Sequence, residues 1–187
     1  MPHKPRKRFG QNFLVDEQVI NQIVSTISPK RSDNVIEIGP GKGALTFPLI
    51  NHLEKIHVIE IDRDLISLLQ KKNNKKISIH ESDALVFNFD QFKHNIRIVG
   101  NLPYNISSPL LFHLLNYRDN IIDMTFMLQK EVIDRIVAPP GSKVYGRISV
   151  IMQAFFDAEL VFMVPKESFD PQPKIESAIL YLKTKSK

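Results

Sequence analysis

The sequence predicts an α/β protein: a mostly parallel seven-stranded sheet with an antiparallel C-terminal hairpin and helices on both faces. Three observations carry this. Short apolar, β-branched runs recur and stop abruptly at glycine, proline or acidic residues, as buried strands do. Stretches with apolar residues at helical spacing separate them, which points to parallel strands joined by crossover helices. The last two runs, 158–164 and 177–182, have no room between them for such a helix, so they pair antiparallel. With 187 residues, 43% hydrophobic and 24% charged, the chain is long and apolar enough for one compact domain over 1–187.

Residues 1–15 form a basic arm holding Arg6, Lys7 and Arg8, followed by Phe9-Gly10-Gln11-Asn12-Phe13-Leu14, too short for independent structure. Asp16 is placed to cap a helix through Ile20, Ile23, Val24 and Ile27, with Pro29 just past its end. Asn34 to Ile38 reads as a strand, and Gly39-Pro40-Gly41-Lys42-Gly43-Ala44-Leu45-Thr46 opens a helix. Glycines at such a turn let backbone approach a ligand and present helix N-terminal N–H groups to it. Their G-x-G-x-G spacing differs from the G-x-G-x-x-G of nicotinamide and flavin binders, and no G-K-[ST] ending follows, which disfavours dinucleotides and nucleoside triphosphates.

Lys55 to Ile61 is the next strand, and Glu60 stands 21 positions after Gly39. An acid there is placed to accept hydrogen bonds from both ribose hydroxyls of a nucleoside and to repel a 2′-phosphate; a solvated strand-end acid is the plain alternative. A helix over Leu65, Ile66, Leu68 and Leu69 leads to the strand Lys76 to His80 and the turn Ser82-Asp83-Ala84-Leu85. Asp83 could accept an adenine amine with Ala84 or Leu85 on the ring, or be an ordinary turn aspartate.

The fourth strand, starting at Ile96, runs into Asn101-Leu102-Pro103-Tyr104. Pro103 cannot donate a ladder bond and keeps Leu102 extended, so the strand stops there, at an edge of the sheet. Ligands of open α/β sheets lie beyond the carboxyl ends of strands. The tetrapeptide offers that place an amide, a rigid carbonyl and an aromatic ring, a set suited to a planar amine, although turn chemistry alone would also explain Asn-x-Pro. Ser108 then caps a helix with Pro109 in its first position and Leu110, Leu111, Leu114 and Leu115 as core face. A strand Ile121 to Leu128, a helix Glu131 to Val137, a loop 139–143 and a helix from Tyr145-Gly146-Arg147 to Phe156 precede the final pair of strands.

Composition narrows the chemistry. The absence of cysteine excludes disulfides, thiolate metal sites and a cysteine nucleophile, and fits a reducing cytosol. The six histidines show no metal-type pair spacing and read as surface or packed residues, so no metal is expected. No run reaches the roughly 18 apolar residues of a membrane helix. The net charge of +5 gathers at the two ends, which suits a polyanion or merely solubilises the tails.

Taken together, Arg8-Phe9-Gly10-Gln11-Asn12-Phe13-Leu14, Glu37-Ile38-Gly39-Pro40-Gly41-Lys42-Gly43, Glu60-Ile61-Asp62, Asp83-Ala84, Asn101-Leu102-Pro103-Tyr104 and Phe169-Asp170-Pro171-Gln172-Pro173-Lys174 resemble the ribosomal RNA adenine dimethyltransferases. Pro40, Leu102 and Tyr145-Gly146-Arg147 look more like the bacterial small-subunit enzyme than like the Erm resistance enzymes. The resemblance implies a Rossmann-like class I S-adenosylmethionine methyltransferase. It implies that Asn12 and Leu14 close over S-adenosyl-L-methionine, Gly39 and Gly41 carry its methionyl part, Glu60 with Ile61 takes the ribose, Asp83 with Ala84 the adenine, and Asn101 sits beside the methyl group.

It further implies that Asn101 and the Leu102 carbonyl grip the N6 amine of a flipped adenosine while Tyr104 and Phe169 stack on the base, and that Arg6, Lys7 and Arg8 meet RNA. The expected partner is small-subunit ribosomal RNA in a pre-ribosomal particle, acted on by a cytoplasmic monomer. The family's bacterial members end in a small helical RNA-gripping domain, which this stretch, stopping at Lys187 after the last strand, is expected to lack. Rival expectations are an Erm-type large-subunit or DNA adenine methylase, an assembly factor whose catalysis is secondary, and a small-molecule methyltransferase.

Overall fold

The computed structural model describes residues 12–72 and 74–186. In chain order its elements begin with β1 (Phe13–Leu14), α1 (Glu17–Ile27), β2 (Asn34–Ile38), α2 (Thr46–Ile50), β3 (Ile56–Glu60) and α3 (Arg63–Lys71). There follow β4 (Ile77–Glu81), β5 (Ile96–Asn101), α4 (Ser107–Leu114), β6 (Ile121–Gln129) and α5 (Lys130–Ile136). The chain closes with α6 (Arg147–Phe155), β7 (Phe156–Val164), β8 (Phe169–Asp170) and β9 (Ser177–Thr184).

Seven strands form one sheet in the order β4-β3-β2-β5-β6-β9-β7. β4 to β6 run parallel, and β9 lies antiparallel between β6 and β7, as the missing crossover helix requires. The winding therefore proceeds outward from β2 through β3 to β4, then returns to place β5 on the other side of β2. This reversal opens a crevice between the carboxyl ends of β2 and β5, the usual ligand position in such sheets.

The alternation within each strand explains the two layers. Ile36, Ile38, Ile96 and Ile98 point to one face and pack with Leu110 and Leu114 of α4, Ile133 of α5 and Met152 of α6. Val35, Val58 and Val99 point to the other and pack with Ile23 of α1, Leu49 of α2 and Leu69 of α3. Each such side chain taken wholly from water contributes about 1.5–3 kcal/mol, so both helical layers are held by the same strands.

Asp16 caps α1, its Oδ1 accepting the N–H groups of Gln18 at 2.9 Å and Val19 at 3.2 Å. Left-handed Ser28 (φ 46°) ends that helix before Pro29.

Four expectations need correction. β5 is a central strand; the edge at which it stops is the row of strand carboxyl ends, not the flank of the sheet. The arm is not without structure at its end: Phe13 and Leu14 pair antiparallel with Asp170 and Phe169, a contact across 155 or more positions that no local pattern signals. Helix α2 starts only at Thr46, so turns rather than helix N–H groups follow the glycines. Helix α4 starts at Ser107 after a turn closed by Ile106 N–H donating to the Pro103 carbonyl, so Ser108 caps nothing and Pro109 sits third. Pro109 is still tolerated there, since N–H groups of the first turn have no helical partner to lose.

The histidines are not all isolated. His57 and His80 meet across β3 and β4 with Nδ1 and Nε2 3.0 Å apart, packed against Phe92. Burial, with help from Lys55 and His80, pushes the His57 pKa down to about 4.

Candidate active site

A cleft of about 310 Å³ opens where β2 and β5 diverge. Every site residue expected between Asn12 and Phe169 lines it: the tips of β2, β3 and β5, the Asp83-Ala84 turn, Asn12 and Leu14 from the arm, and Phe169 from β8. Arg6, Lys7 and Arg8 lie outside the described residues.

The glycine turn works through shape. Gly39 (φ +66°) and Gly41 (φ +58°) have left-handed backbones, and a Cβ on Gly41 would stand 3.3 Å from the Phe13 ring. Their N–H groups are engaged within the protein, Gly39 with the Ile59 carbonyl at 2.9 Å and Gly41 with Glu60 Oε2 at 3.3 Å. At its two glycines the turn thus offers close backbone approach more than a nest of donors. Lys42 Nζ lies 4.4 Å from the Phe13 ring centroid, a cation–π contact that ties the turn to the arm.

Two carboxyl groups stand under the cleft. Glu60, 6% exposed, accepts the N–H groups of Ile61 and Asp62 on Oε1, both at 2.9 Å, and that of Gly41 on Oε2. Burial raises its pKa against the lowering effect of those three bonds. A carboxylate fixed by backbone donors at a strand tip retains acceptor capacity for ligand hydroxyls. Glu37, 2% exposed, is the second; Thr46 Oγ1 donates to its Oε2 at 2.6 Å, and burial raises its pKa to about 7. The sequence reading did not single out Glu37, although one acid in Val35-Ile36-Glu37-Ile38 was the available signal. On the far wall Asp83 Oδ1 accepts the Leu85 N–H at 2.9 Å, which orients the carboxylate, and Ala84 is buried beside it.

At the tip of β5, Asn101 Nδ2 donates to the Asn12 carbonyl at 3.1 Å. That bond commits the NH2 end of the amide to the arm and leaves Oδ1 as the end available to a donor. Leu102 buries its side chain and donates its N–H to the Met127 carbonyl at 3.2 Å, so what it brings to the cleft is backbone. Tyr104 is half-buried, with its hydroxyl 3.1 Å from Ser177 Oγ at the start of β9. Phe169, 4% exposed, packs in the apolar cluster of Leu14 and Ile179 while also lining the cleft, so it is a core aromatic with one side on the site.

An apolar slot bounded by a glycine turn, a fixed strand-end acid and a second acid below fits a nucleoside joined to a positively charged amino-acid tail, as in S-adenosylmethionine.

Known proteins resemble the chain over most of its length. The family described as ribosomal RNA adenine dimethylase matches residues 2–187. A ribosomal RNA small subunit methyltransferase A of Nitrosospira multiformis is 53% identical over 181 residues, covering 96% of this chain and 70% of that protein. A dimethyladenosine transferase of Plasmodium falciparum superposes with a TM-score of 0.85 at 32% identity, covering 92% of this chain and 63% of that one. The 23S rRNA methyltransferase ErmE gives 0.83 at 29% identity, covering 94% and 71%. The fold is the Rossmann-like class I methyltransferase fold, whose cofactor is S-adenosylmethionine. The chain belongs to the ribosomal RNA adenine dimethylase family.

Proposed function

We propose that this chain dimethylates N6 of adenosines in small-subunit ribosomal RNA, using S-adenosylmethionine and acting on a pre-ribosomal particle as a cytoplasmic monomer with a linked role in subunit assembly. Residues 1–187 supply the methyltransferase domain of that activity. The observation that carries the reading is the Asn101 amide: at the reversal of the sheet, in one cleft with Gly39 and Glu60, its NH2 end tied to Asn12 and its oxygen available. The 53% identity to a small-subunit methyltransferase favours that target over a large-subunit one, the second reading, which rests on the likeness to ErmE.

When bound, S-adenosylmethionine supplies a methyl group made electrophilic by its sulfonium charge. Glu60 would hold the ribose hydroxyls, Asp83 would accept from the adenine amine, and Glu37 would face the methionyl end. The target amine is a weak nucleophile because its lone pair is delocalised into the purine ring. Asn101 Oδ1 and the Leu102 carbonyl accept its two N–H bonds, draw it towards pyramidal geometry and aim the lone pair at the methyl carbon. Because the methyl group comes already activated, the chain's own part is to orient the amine, whose proton passes to water after transfer. Orientation of this kind lowers a barrier by roughly 7–11 kcal/mol, so a site without a dedicated base suffices. Tyr104 and Phe169 hold the unstacked base, each stack contributing about 1–3 kcal/mol.

Transfer of radiolabelled methyl from S-adenosylmethionine to immature small subunits, naked small-subunit RNA and large-subunit RNA tests the reading. The expected result is dimethyladenosine in the immature small subunits; label confined to large-subunit RNA would replace the first reading with the second.

A further inference from the structure

We propose that Ser168 is a positioning residue: with Asp16 it fastens the arm that borders the cofactor to the loop that carries Phe169, so that a side-chain hydrogen bond away from the ligands locks together both halves of the cleft. The inference rests on the function proposed above and deepens it.

Two strand pairings and two further hydrogen bonds join the two segments. β1 pairs with β8 in the register Phe13 to Asp170 and Leu14 to Phe169. The Val15 N–H donates to the Ser168 carbonyl at 2.8 Å, and Ser168 Oγ donates to Asp16 Oδ2 at 2.9 Å. The same Asp16 uses Oδ1 to cap α1, so the bond anchors the loop to a helix end and not merely to another loop. The Ser168 bond, followed by the Val19 N–H, holds the Asp16 carboxyl below the usual carboxylate range. Asn101 completes the assembly by donating to Asn12 at the arm's other end.

Ser168 is 2% exposed, and neither it nor Asp16 is among the residues lining the cleft. A two-residue ladder is too short to hold itself, since isolated strand pairs are marginal in water. The side-chain bond beside it is what makes the arm and loop one body. Ligands on its two sides then stabilise the same closed arrangement, and each favours the other by thermodynamic linkage.

Ser168→Ala removes the donor without touching the cleft. The expected result is that the cofactor Kd and the KM for small-subunit particles both rise about 3- to 10-fold, the size of one lost hydrogen bond, while kcat at saturation of both changes less than 2-fold. Asp16→Asn keeps an oxygen for the helix cap and offers an N–H that the serine hydroxyl can accept, so both constants stay near wild type. Asp16→Ala repeats the Ser168→Ala effect, and the double variant is no worse than Asp16→Ala on either constant. A Ser168→Ala protein in which only one constant moves, or neither, or whose effect adds fully to that of Asp16→Ala, overturns the proposal. Wild-type protein that methylates no adenosine at all would instead overturn the underlying function, which separates the two failures.

Discussion

Glu37 shows how much one buried atom pair decides. Its carboxyl sits in an apolar strand with the Thr46 hydroxyl as partner, and burial raises its pKa from an ordinary value of 4.5 to about 7. A carboxyl whose pKa rises on folding contributes stability below the unfolded value and loses it as pH climbs towards the folded one. Glu37→Gln keeps an acceptor for Thr46 and removes the charge. Urea unfolding should show the variant more stable than wild type by about 1–3 kcal/mol at pH 8, with the difference vanishing near pH 4; parallel curves at both pH values would refute this assignment. Tyr104 gives a second residue-scale prediction. If Ser177 Oγ holds its ring plane, Tyr104→Phe and Ser177→Ala should each raise the KM for RNA about 3- to 10-fold and leave cofactor affinity unchanged in titration calorimetry. Asn101 and Glu60 were legible because each ends an apolar run, and Asp83 because it stands in the turn that follows a strand. Ser168 and Ser177 were not, because a serine in a turn or at the start of a strand carries no sign of the partner that folding brings to it.

Among the elements, β2 and β5 set the site, and their separation is fixed by a residue the motif reading passed over. A Cβ on Gly100 would lie 2.5 Å from the Ile38 carbonyl oxygen. Glycine within a strand marks such close backbone approach, so that signal was present in Ile98-Val99-Gly100. Gly100→Ala should push the two strand tips apart, lower stability by about 1–3 kcal/mol in thermal unfolding and reduce methyl transfer disproportionately. The helices were readable from apolar residues at helical spacing and most strands from short β-branched runs that stop at glycine, proline or an acid. The β1 to β8 pairing was unreadable because two residues hold no periodicity and their partners lie far along the chain. The meeting of His57 with His80 was hidden likewise, since sequence spacing does not say which strands become neighbours.

Across the whole molecule, chemistry and stability occupy opposite ends of the sheet. At the amino end, Arg97 of β5 donates to Asp33 at 2.7 Å, to Asp123 at 2.8 Å and to the Ile27 carbonyl at 2.7 Å, binding β5 and β6 to the end of α1. Burial alone would lower the Arg97 pKa, but the bonds to Asp123 and Asp33 raise it overall. Its side chain is 13% exposed, so Arg97→Met strands two carboxylates and should cost about 3 kcal/mol in urea unfolding. Methyl transfer per folded molecule should not change, because nothing in this network lines the cleft. No helix among the described residues is long and apolar enough to cross a membrane, and the fold class itself followed from strand and helix alternation before any motif was weighed.

The most direct test of the Asn101 assignment is one pair of measurements on Asn101→Ala: methyl transfer to small-subunit particles and calorimetric affinity for S-adenosylmethionine. Loss of the amide oxygen should lower transfer by at least 100-fold, roughly 2.7 kcal/mol of barrier, while loss of the bond to Asn12 weakens cofactor affinity by no more than about 10-fold. Transfer at the wild-type rate would contradict the claim that this amide grips the target amine.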